Sequence, residues 1–445
     1  MSKIIIQNGN MCELDLPLKF AQKLYNEFAI RHPNAFYLRT RQRGMQNWDG
    51  KIHYITKTGQ FKIGLLPKVY DMCIEMGIKP KVVDMRQPLP KVSKVVTNIG
   101  KYKLRPEQEK AVKAVINNKI GNTPFQIGVL DLTVNFGKTL IMSSLYLSYK
   151  KQLKTLLITN DSDWLNQARE EFKQYLPGED ITFVQGKVLN WSNFTIGMVQ
   201  SISRNMRFYQ KELSQIDMVL VDEADQGGSK QYQNVITRLF NTRIRIGLSG
   251  TIYMSKLAKD KVKNMNLECF FGKVIAEFKL KDSIKKGYST KTVVKMVPGK
   301  PWYGNWESDC ISYKEIYDDS ITNCYTAWLM AYNRLLWNLN QGRYPALVVC
   351  KHIAHCENLY KFFKKKLGDA YNIAYVHVNT PSKLRQQIMK DFREGKIDIL
   401  VSTTIIARGK NFPKLKYLLN TASMLSNEKT IQFLGRLVRT DESKN

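Results

Sequence analysis

Two short motifs, about one lobe apart, constrain this chain more than anything else in it. The first is Leu132-Thr133-Val134-Asn135-Phe136-Gly137-Lys138-Thr139, which follows an apolar run (Ile127–Leu130) and precedes a helical one (Leu140–Tyr149). A strand, a tight loop and a helix opening on Gly-Lys-Thr present backbone N–H groups to phosphates. Lys138 can then reach the β and γ oxygens, and the Thr139 hydroxyl can hold Mg2+. Leu132 stands where such loops normally carry their first glycine. Asn135, at another usually small position, tolerates left-handed backbone better than most residues. The second motif is Met218–Asp225, an apolar strand ending in Asp222-Glu223-Ala224-Asp225. Asp222, at a strand's C-terminal edge, is placed to hold Mg2+, and Glu223 to polarise an attacking water as general base. In this order, the two motifs predict an α/β fold that hydrolyses a nucleoside triphosphate.

A third element lies near the C-terminus, in Gln432-Phe433-Leu434-Gly435-Arg436-Leu437-Val438-Arg439. Arg436 and Arg439 are three apart and share a helix face. Two guanidinium groups held this way can clamp the charge developing on a transferred phosphoryl group. From about residue 100 the runs Thr155–Thr159, Met218–Val221 and Ile244–Leu248 alternate with helix-length amphipathic segments, the pattern of a parallel sheet. A second series begins after about residue 320, with strands expected at Ala346–Cys350, Ile373–Val378 and Ile397–Ser402. The first 100 residues read differently: an amphipathic helix near Leu16–Ile30 and short strand-like runs at Lys51–Thr56 and Phe61–Leu66. Gln87-Pro88-Leu89-Pro90 reads as a linker, since proline disfavours helix.

Charge narrows the partner. The chain has 69 Lys+Arg against 38 Asp+Glu, a formal net charge of +31, which points to a polyanion, nucleic acid first. Seven cysteines without a C-x-x-C pair argue against a disulfide framework and for a reducing, cytoplasm-like compartment. No apolar stretch approaches the ~18 residues of a membrane span, and Met1–Ile6 is too short an apolar run for a secretory leader. Cys350-Lys351-His352-Ile353-Ala354-His355-Cys356 holds four soft ligands in seven residues. It begins as a strand and continues as a helix, so the side chains diverge and no zinc site is expected.

The ordered set resembles the superfamily-two helicases over about residues 101–440. Arg105-Pro106-Glu107-Gln108 looks like the upstream motif in which Gln108 reads adenine beside Arg105. Thr159–Gln167, with Asn160, and Gly197–Ser201, with Gln200 and Ser201, look like the first two strand-contacting motifs. Ser249-Gly250-Thr251 stands for the motif that couples hydrolysis to movement, with Asp225 as its partner. Val401–Asn411 looks like the fifth motif, where Thr403, Thr404 and Arg408 would touch the strand and Gly409 and Asn411 approach the nucleotide. The Asp222–Asp225 tetrad invites a DEAD-box assignment, but the accompanying motifs differ: Ser-Gly-Thr replaces Ser-Ala-Thr, and the sixth motif starts at Gln432 rather than at a His-Arg pair.

A closer resemblance is to the UvsW family of tailed-phage recombination helicases, through Arg39-Thr40-Arg41-Gln42-Arg43-Gly44-Met45-Gln46-Asn47-Trp48-Asp49-Gly50-Lys51-Ile52, Gly64-Leu65-Leu66 and Lys351–His355. The resemblance implies an α/β chain of two tandem RecA-like lobes preceded by a small basic α+β domain. The corresponding divisions are 1–92 for the basic DNA-binding accessory domain, 93–285 for lobe 1, 286–320 for a connecting insertion and 321–445 for lobe 2. It also implies ATP and Mg2+ as cofactors, ATP held between the lobes, and branched or forked DNA as partner. The activity would be fork regression, Holliday-junction branch migration and D-loop or R-loop unwinding. Arg39, Arg41, Arg43, Lys51 and Lys351 would meet phosphates, and Trp48 would stack on a base or close a tight turn. An RNA-dependent ATPase uses the same engine, and a basic scaffold with a degenerate phosphate loop would share the charge.

Overall fold

The structure is a computed structural model of the 445-residue chain; it describes residues 2–42, 44–133, 135–149, 152–186, 188–252, 260–297, 312–407 and 412–422. The chain divides into two compact units, Met1–Lys279 and Leu280–Asn445.

The first unit opens with a four-stranded sheet in the order Gln60–Lys62, Met11–Asp15, Lys3–Ile6, Lys81–Asp84. Alternate residues of Lys3–Ile6 and Met11–Asp15 are buried, so one face carries Ile4, Ile6, Cys12 and Leu14 into a core. The helices Leu18–Glu27 and Leu66–Glu75 add Leu24, Leu66 and Val69 to the same core. A separate ribbon, Ala29–Arg31 against Lys51–His53, carries the short helix Ala35–Arg41 between its strands. The strand-like run Phe61–Leu66 is only partly a strand. After Lys62 the chain turns through Ile63–Leu65 into helix, because Pro67 suits a helix's first turn. Gly64 also sits so close to Glu268 O that a Cβ would lie 2.1 Å from it.

The second sheet of this unit has eight strands. Their order is Val188–Leu189, Ile181–Gln185, Phe194–Met198, Thr155–Thr159, Met218–Asp222, Ile244–Ser249, Ile127–Leu132, Val274–Phe278. Every pairing is parallel except that of Val188–Leu189. Thr155–Thr159, Met218–Asp222, Ile244–Ser249 and Ile127–Leu132 are buried at every residue, which is why they read as unbroken apolar runs. Asp131 and Arg245 are charged exceptions inside these strands; Arg245 is the deeper. It is fully buried in mid-sheet, and its guanidinium donates to Gly9 O (2.5 Å), Asn10 Oδ1 (2.8 Å) and Phe270 O (3.1 Å). Burial lowers its pKa to about 9. Gly9 N–H in turn donates to Phe240 O at 2.6 Å, so the N-terminal module is fastened to the end of this sheet.

The second unit carries a four-stranded parallel sheet in the order Ile373–Val376, Ile399–Thr403, Ala346–Cys350, Tyr417–Asn420. The helix Tyr325–Asn340 supplies Ala331, Leu335 and Leu339 to its core, and Ile353–Leu367 supplies Cys356, Leu359 and Phe363. Cys350 and Cys356 are buried there, the Cys356 thiol 3.5 Å from Val401 O. His355 Nδ1 faces the Tyr317 hydroxyl at 3.3 Å. Among the described residues no helix is long and apolar enough to cross a membrane.

Candidate active site

The strands Ile127–Leu132, Ile244–Ser249 and Met218–Asp222 are adjacent and parallel, so their C-terminal ends reach one edge of the sheet. The phosphate loop leaves that edge. Leu132 is the last residue of its strand and buried, which explains why no glycine is needed there. The bend comes later, at Asn135 (φ 64°) and Gly137 (φ 84°), and Lys138–Ser148 follows as helix. Asn135 and Glu223 (φ 52°) are the non-glycine residues with left-handed backbone among the described residues. Both belong to this site, where such strain costs about 1–3 kcal/mol per residue.

Gln108 is buried at the start of the helix Pro106–Ile116. Its Oε1 accepts the Arg105 N–H (2.8 Å), and its Nε2 donates to Phe136 O (2.7 Å). Arg105 donates to the same Phe136 carbonyl at 2.8 Å, its guanidinium 5.6 Å from the Phe136 ring centroid. The pair assigned to adenine thus clamps the phosphate loop. A Cβ on Gly137 would lie 2.5 Å from Gln108 Nε2, so the clamp also requires that glycine.

Lys138 Nζ lies 3.8 Å from Asp222 Oδ1. Burial works against the lysine's charge, but the fields of Glu223, Asp222, Asp225 and Asp131 outweigh it and raise its pKa above the usual lysine value. Burial pushes Asp222 up to about 7 against the pull of Lys138, with Glu223 and Asp225 adding to the rise. Asp222 Oδ1 is buried without a hydrogen-bond partner. An orphaned carboxylate oxygen beside a charged lysine fits a site completed by a cation and its phosphate ligands. Thr139, buried in the first turn after Lys138, is the hydroxyl available beside it.

Glu223 opens the short turn Ala224–Gln226, which brings Asp225 back against the neighbouring strand. Ser249 Oγ donates to Asp225 Oδ1 at 3.3 Å, and Thr251 N–H donates to Ser249 Oγ at 3.1 Å. All three residues are buried. The expected coupling residues are therefore one connected network. A Cβ on Gly250 would lie 2.9 Å from Leu132 O, so this turn also backs directly onto the root of the phosphate loop.

The strand-contacting candidates fall at the same sheet edge. Asn160 follows Thr155–Thr159, and Gln200 and Ser201 follow Phe194–Met198. Gln200 Nε2 lies 3.4 Å from Asn160 O, while Asn160 Oδ1 and Gln200 Oε1 are buried without partners. Ser201 Oγ accepts the Gly186 N–H at 2.9 Å. In the N-terminal module, Arg39 and Arg41 are exposed on the helix Ala35–Arg41. Trp48 is half-buried and donates its indole N–H to Lys51 O at 2.9 Å; Asp49 Oδ1 accepts the Lys51 N–H at 2.9 Å. Trp48 thus closes a tight turn, with Lys51 exposed beside it. In the second unit, Lys351, Thr403 and Thr404 share the C-terminal edge of the four-stranded sheet. Lys351 Nζ lies 5.0 Å from the Tyr317 ring centroid. Arg43, Arg408, Gly409, Asn411, Gln432, Arg436 and Arg439 lie outside the described residues.

Two features escaped the sequence reading. Asp131 is buried one residue before the end of its strand and pairs with Lys279 at 2.5 Å. Its signal was present, a lone acid directly after the apolar run Ile127–Leu130. The exposed pair Phe36 and Tyr37 had only a weak signal, two aromatics beside Arg39 and Arg41.

Residues 101–254 match the family model described as type III restriction enzyme, res subunit, and residues 329–441 the model for the helicase conserved C-terminal domain. The chain is 21% identical to the ATP-dependent DNA helicase uvsW of Enterobacteria phage T4, over 89% of this chain and 80% of that protein. It is 24% identical to the helicase-like protein IRC3 of Saccharomyces cerevisiae over 77% of this chain, a match that spans half of the yeast protein's length. Among solved structures, the ATP-dependent type ISP restriction-modification enzyme LlaBIII bound to DNA shares the fold. Its TM-score is 0.56 at 13% identity, over 84% of this chain and 30% of that one.

Proposed function

The chain belongs to the superfamily-two helicases and is homologous to UvsW, and we propose that it is an ATP-driven DNA translocase that remodels branched or forked DNA. The observation carrying this reading is the convergence of Lys138 on Asp222, with Asp222 Oδ1 left unpartnered.

Lys138 neutralises charge on the β and γ oxygens, and the backbone N–H groups at the start of the helix Lys138–Ser148 orient them. Asp222 and Thr139 would hold Mg2+, which supplies charge neutralisation of the transferring phosphoryl group when bound. Glu223, set by its left-handed backbone, positions and polarises the attacking water. Arg436 and Arg439, with Gln432, are assigned the stabilisation of the developing charge. Asp225, Ser249 and Thr251 relay the state of the acidic motif to the root of the phosphate loop. Asn160, Gln200, Ser201, Lys351, Thr403, Thr404 and Arg408 are assigned to the strand, and Gly409 and Asn411 to the nucleotide. The net charge of +31 supplies the long-range attraction to a polyanion.

The test is Lys138→Ala. The variant is expected to bind DNA as the parent does and to lose at least about 100-fold in DNA-stimulated ATP turnover. Full DNA-stimulated turnover overturns the assignment. Stimulation of the parent by forked DNA, duplex DNA and RNA at matched salt identifies the polymer, and a preference for RNA makes this an RNA-directed motor instead.

A further inference from the structure

The helix Ala35–Arg41 is short, protrudes from a two-stranded ribbon, and buries only Ala35. Its outer face carries Phe36, 80% exposed, and Tyr37, 55% exposed. A phenylalanine this bare, in a module where Phe28 and Phe61 are buried and Phe20 is half-buried, is apolar surface that folding leaves uncovered. Its surroundings are strongly cationic: from Arg31 to Lys51 there are five Arg or Lys residues and one acid, Asp49. The Arg41 guanidinium lies 4.9 Å from the Tyr37 ring centroid, taking one aromatic face.

The helix is also held rigidly. His32 N–H donates to Gly50 O at 2.8 Å, Ala35 N–H to His32 O at 3.0 Å, and Asn34 N–H to His32 Nδ1 at 3.1 Å. Gly50 (φ 77°) lets the returning chain pass beneath Ala35, where a Cβ would sit 3.1 Å from the Ala35 Cβ. Trp48 and Asp49 close the turn from the other side. An aromatic pair fixed on a preordered arm, flanked by guanidiniums, matches the way proteins hold unpaired bases: π faces for the base, cations for the phosphates on either side.

We infer that Phe36 and Tyr37 form a base-stacking platform that takes unpaired bases at the branch point of a DNA substrate, while Arg39 and Arg41 hold the adjoining backbone. The inference rests on the DNA reading above and deepens it, because it assigns the N-terminal module recognition of the unpaired bases at the branch rather than general attraction to DNA. A blunt duplex offers the platform no unpaired base, so discrimination of fork from duplex is concentrated here.

The test uses the full chain without ATP and a forked DNA with 2-aminopurine at the first unpaired position. The parent is expected to quench the probe and to bind the fork more tightly than a blunt duplex of equal length. Phe36→Ala/Tyr37→Ala is expected to lose the quench and about tenfold in fork affinity, with duplex affinity little changed. Arg39→Ala/Arg41→Ala should instead lower the log–log salt slope of fork binding by about two. Leu18→Ala, at an equally bare apolar position of the same module, should behave as the parent. Unaltered quench and fork affinity in Phe36→Ala/Tyr37→Ala overturn the inference. Because no nucleotide is present, a parent whose ATPase ignores DNA breaks the motor reading separately, and the quench still decides the platform.

Discussion

His355 offers a sharp pH test of the second unit. The residue lies on the helix Ile353–Leu367, its Nδ1 3.3 Å from the Tyr317 hydroxyl, in the core beneath the four-stranded sheet. Burial drives its pKa down to about 4, the neighbouring His352 adds to the fall, and Asp318 opposes it. A base whose folded value lies below its unfolded value binds fewer protons when folded. Stability therefore stays intact above pH 7, falls as pH drops through about 6.5, and levels off below about 4. A shift of about 2.5 units makes the complete loss about 3 kcal/mol, of which about 2 kcal/mol is spent by pH 5. The consequence reaches Lys351, since Tyr317 packs against the His352 ring at 4.8 Å and lies under the Lys351 ammonium. Denaturant unfolding of the parent and of His355→Gln, each at pH 7 and pH 5, isolates this group from the others that titrate. The two proteins should differ in their pH dependence by about 2 kcal/mol, whatever Gln does to stability at pH 7. Identical pH dependence would refute the argument, because it would mean that His355 is protonated in the folded chain as readily as in the unfolded one.

Two further substitutions probe the first unit. Gly137→Ala places a methyl 2.5 Å from Gln108 Nε2 at a left-handed φ of 84°; it should weaken binding of a fluorescent ATP analogue at least about tenfold and cost about 1–2 kcal/mol of stability in urea. Parent-like nucleotide affinity would show that the Gln108 clamp is incidental. Ser249→Ala removes the hydroxyl that donates to Asp225 and accepts the Thr251 N–H; it should cost about 2–3 kcal/mol of stability and lower base pairs unwound per ATP more than it lowers ATP turnover. An equal fall in both would place Ser249 in hydrolysis alone.

Legibility in the sequence followed burial. Strands buried on both faces, such as Thr155–Thr159 and Ala346–Cys350, were readable to the residue because nothing polar interrupts them. Met218–Asp222 and Ile244–Ser249 each run one residue past the expected end, since the polar residue that appeared to end the run still pairs with its neighbour. Phe61–Leu66 misled because its apolar residues serve a turn and a helix that dock on the Leu267–Phe271 region, a tertiary cause with no local period. The approach of Lys138 to Asp222 was legible because motif spacing and parallel topology bring the two strand ends together. The engagement of Gln108 with Phe136 was not, because an amide suits adenine and a carbonyl equally, and only the approach of the phosphate loop decides between them.

Strain and connectivity together explain why the site is built on this sheet rather than on a freer loop. Asn135 and Glu223 hold left-handed backbone without glycine's freedom, and neither would persist unless its surroundings over-determined it. For Asn135 the restraint is the loop between a buried strand end and the Gln108–Arg105 clamp on Phe136. For Glu223 it is the return of Asp225 onto Ser249. Ser249 ends the strand Ile244–Ser249, and Arg245, four residues earlier on the same strand, holds Gly9 and Asn10 of the N-terminal module. One fully buried strand is therefore bonded at one end to the acidic motif and near the other to the module that carries Arg39 and Phe36. A strand flanked on both sides by parallel neighbours cannot bend without breaking two ladders of hydrogen bonds. The module that carries Arg39 and Phe36 is thus hydrogen-bonded directly to the strand that carries Ser249, and those bonds tie it to the eight-stranded sheet.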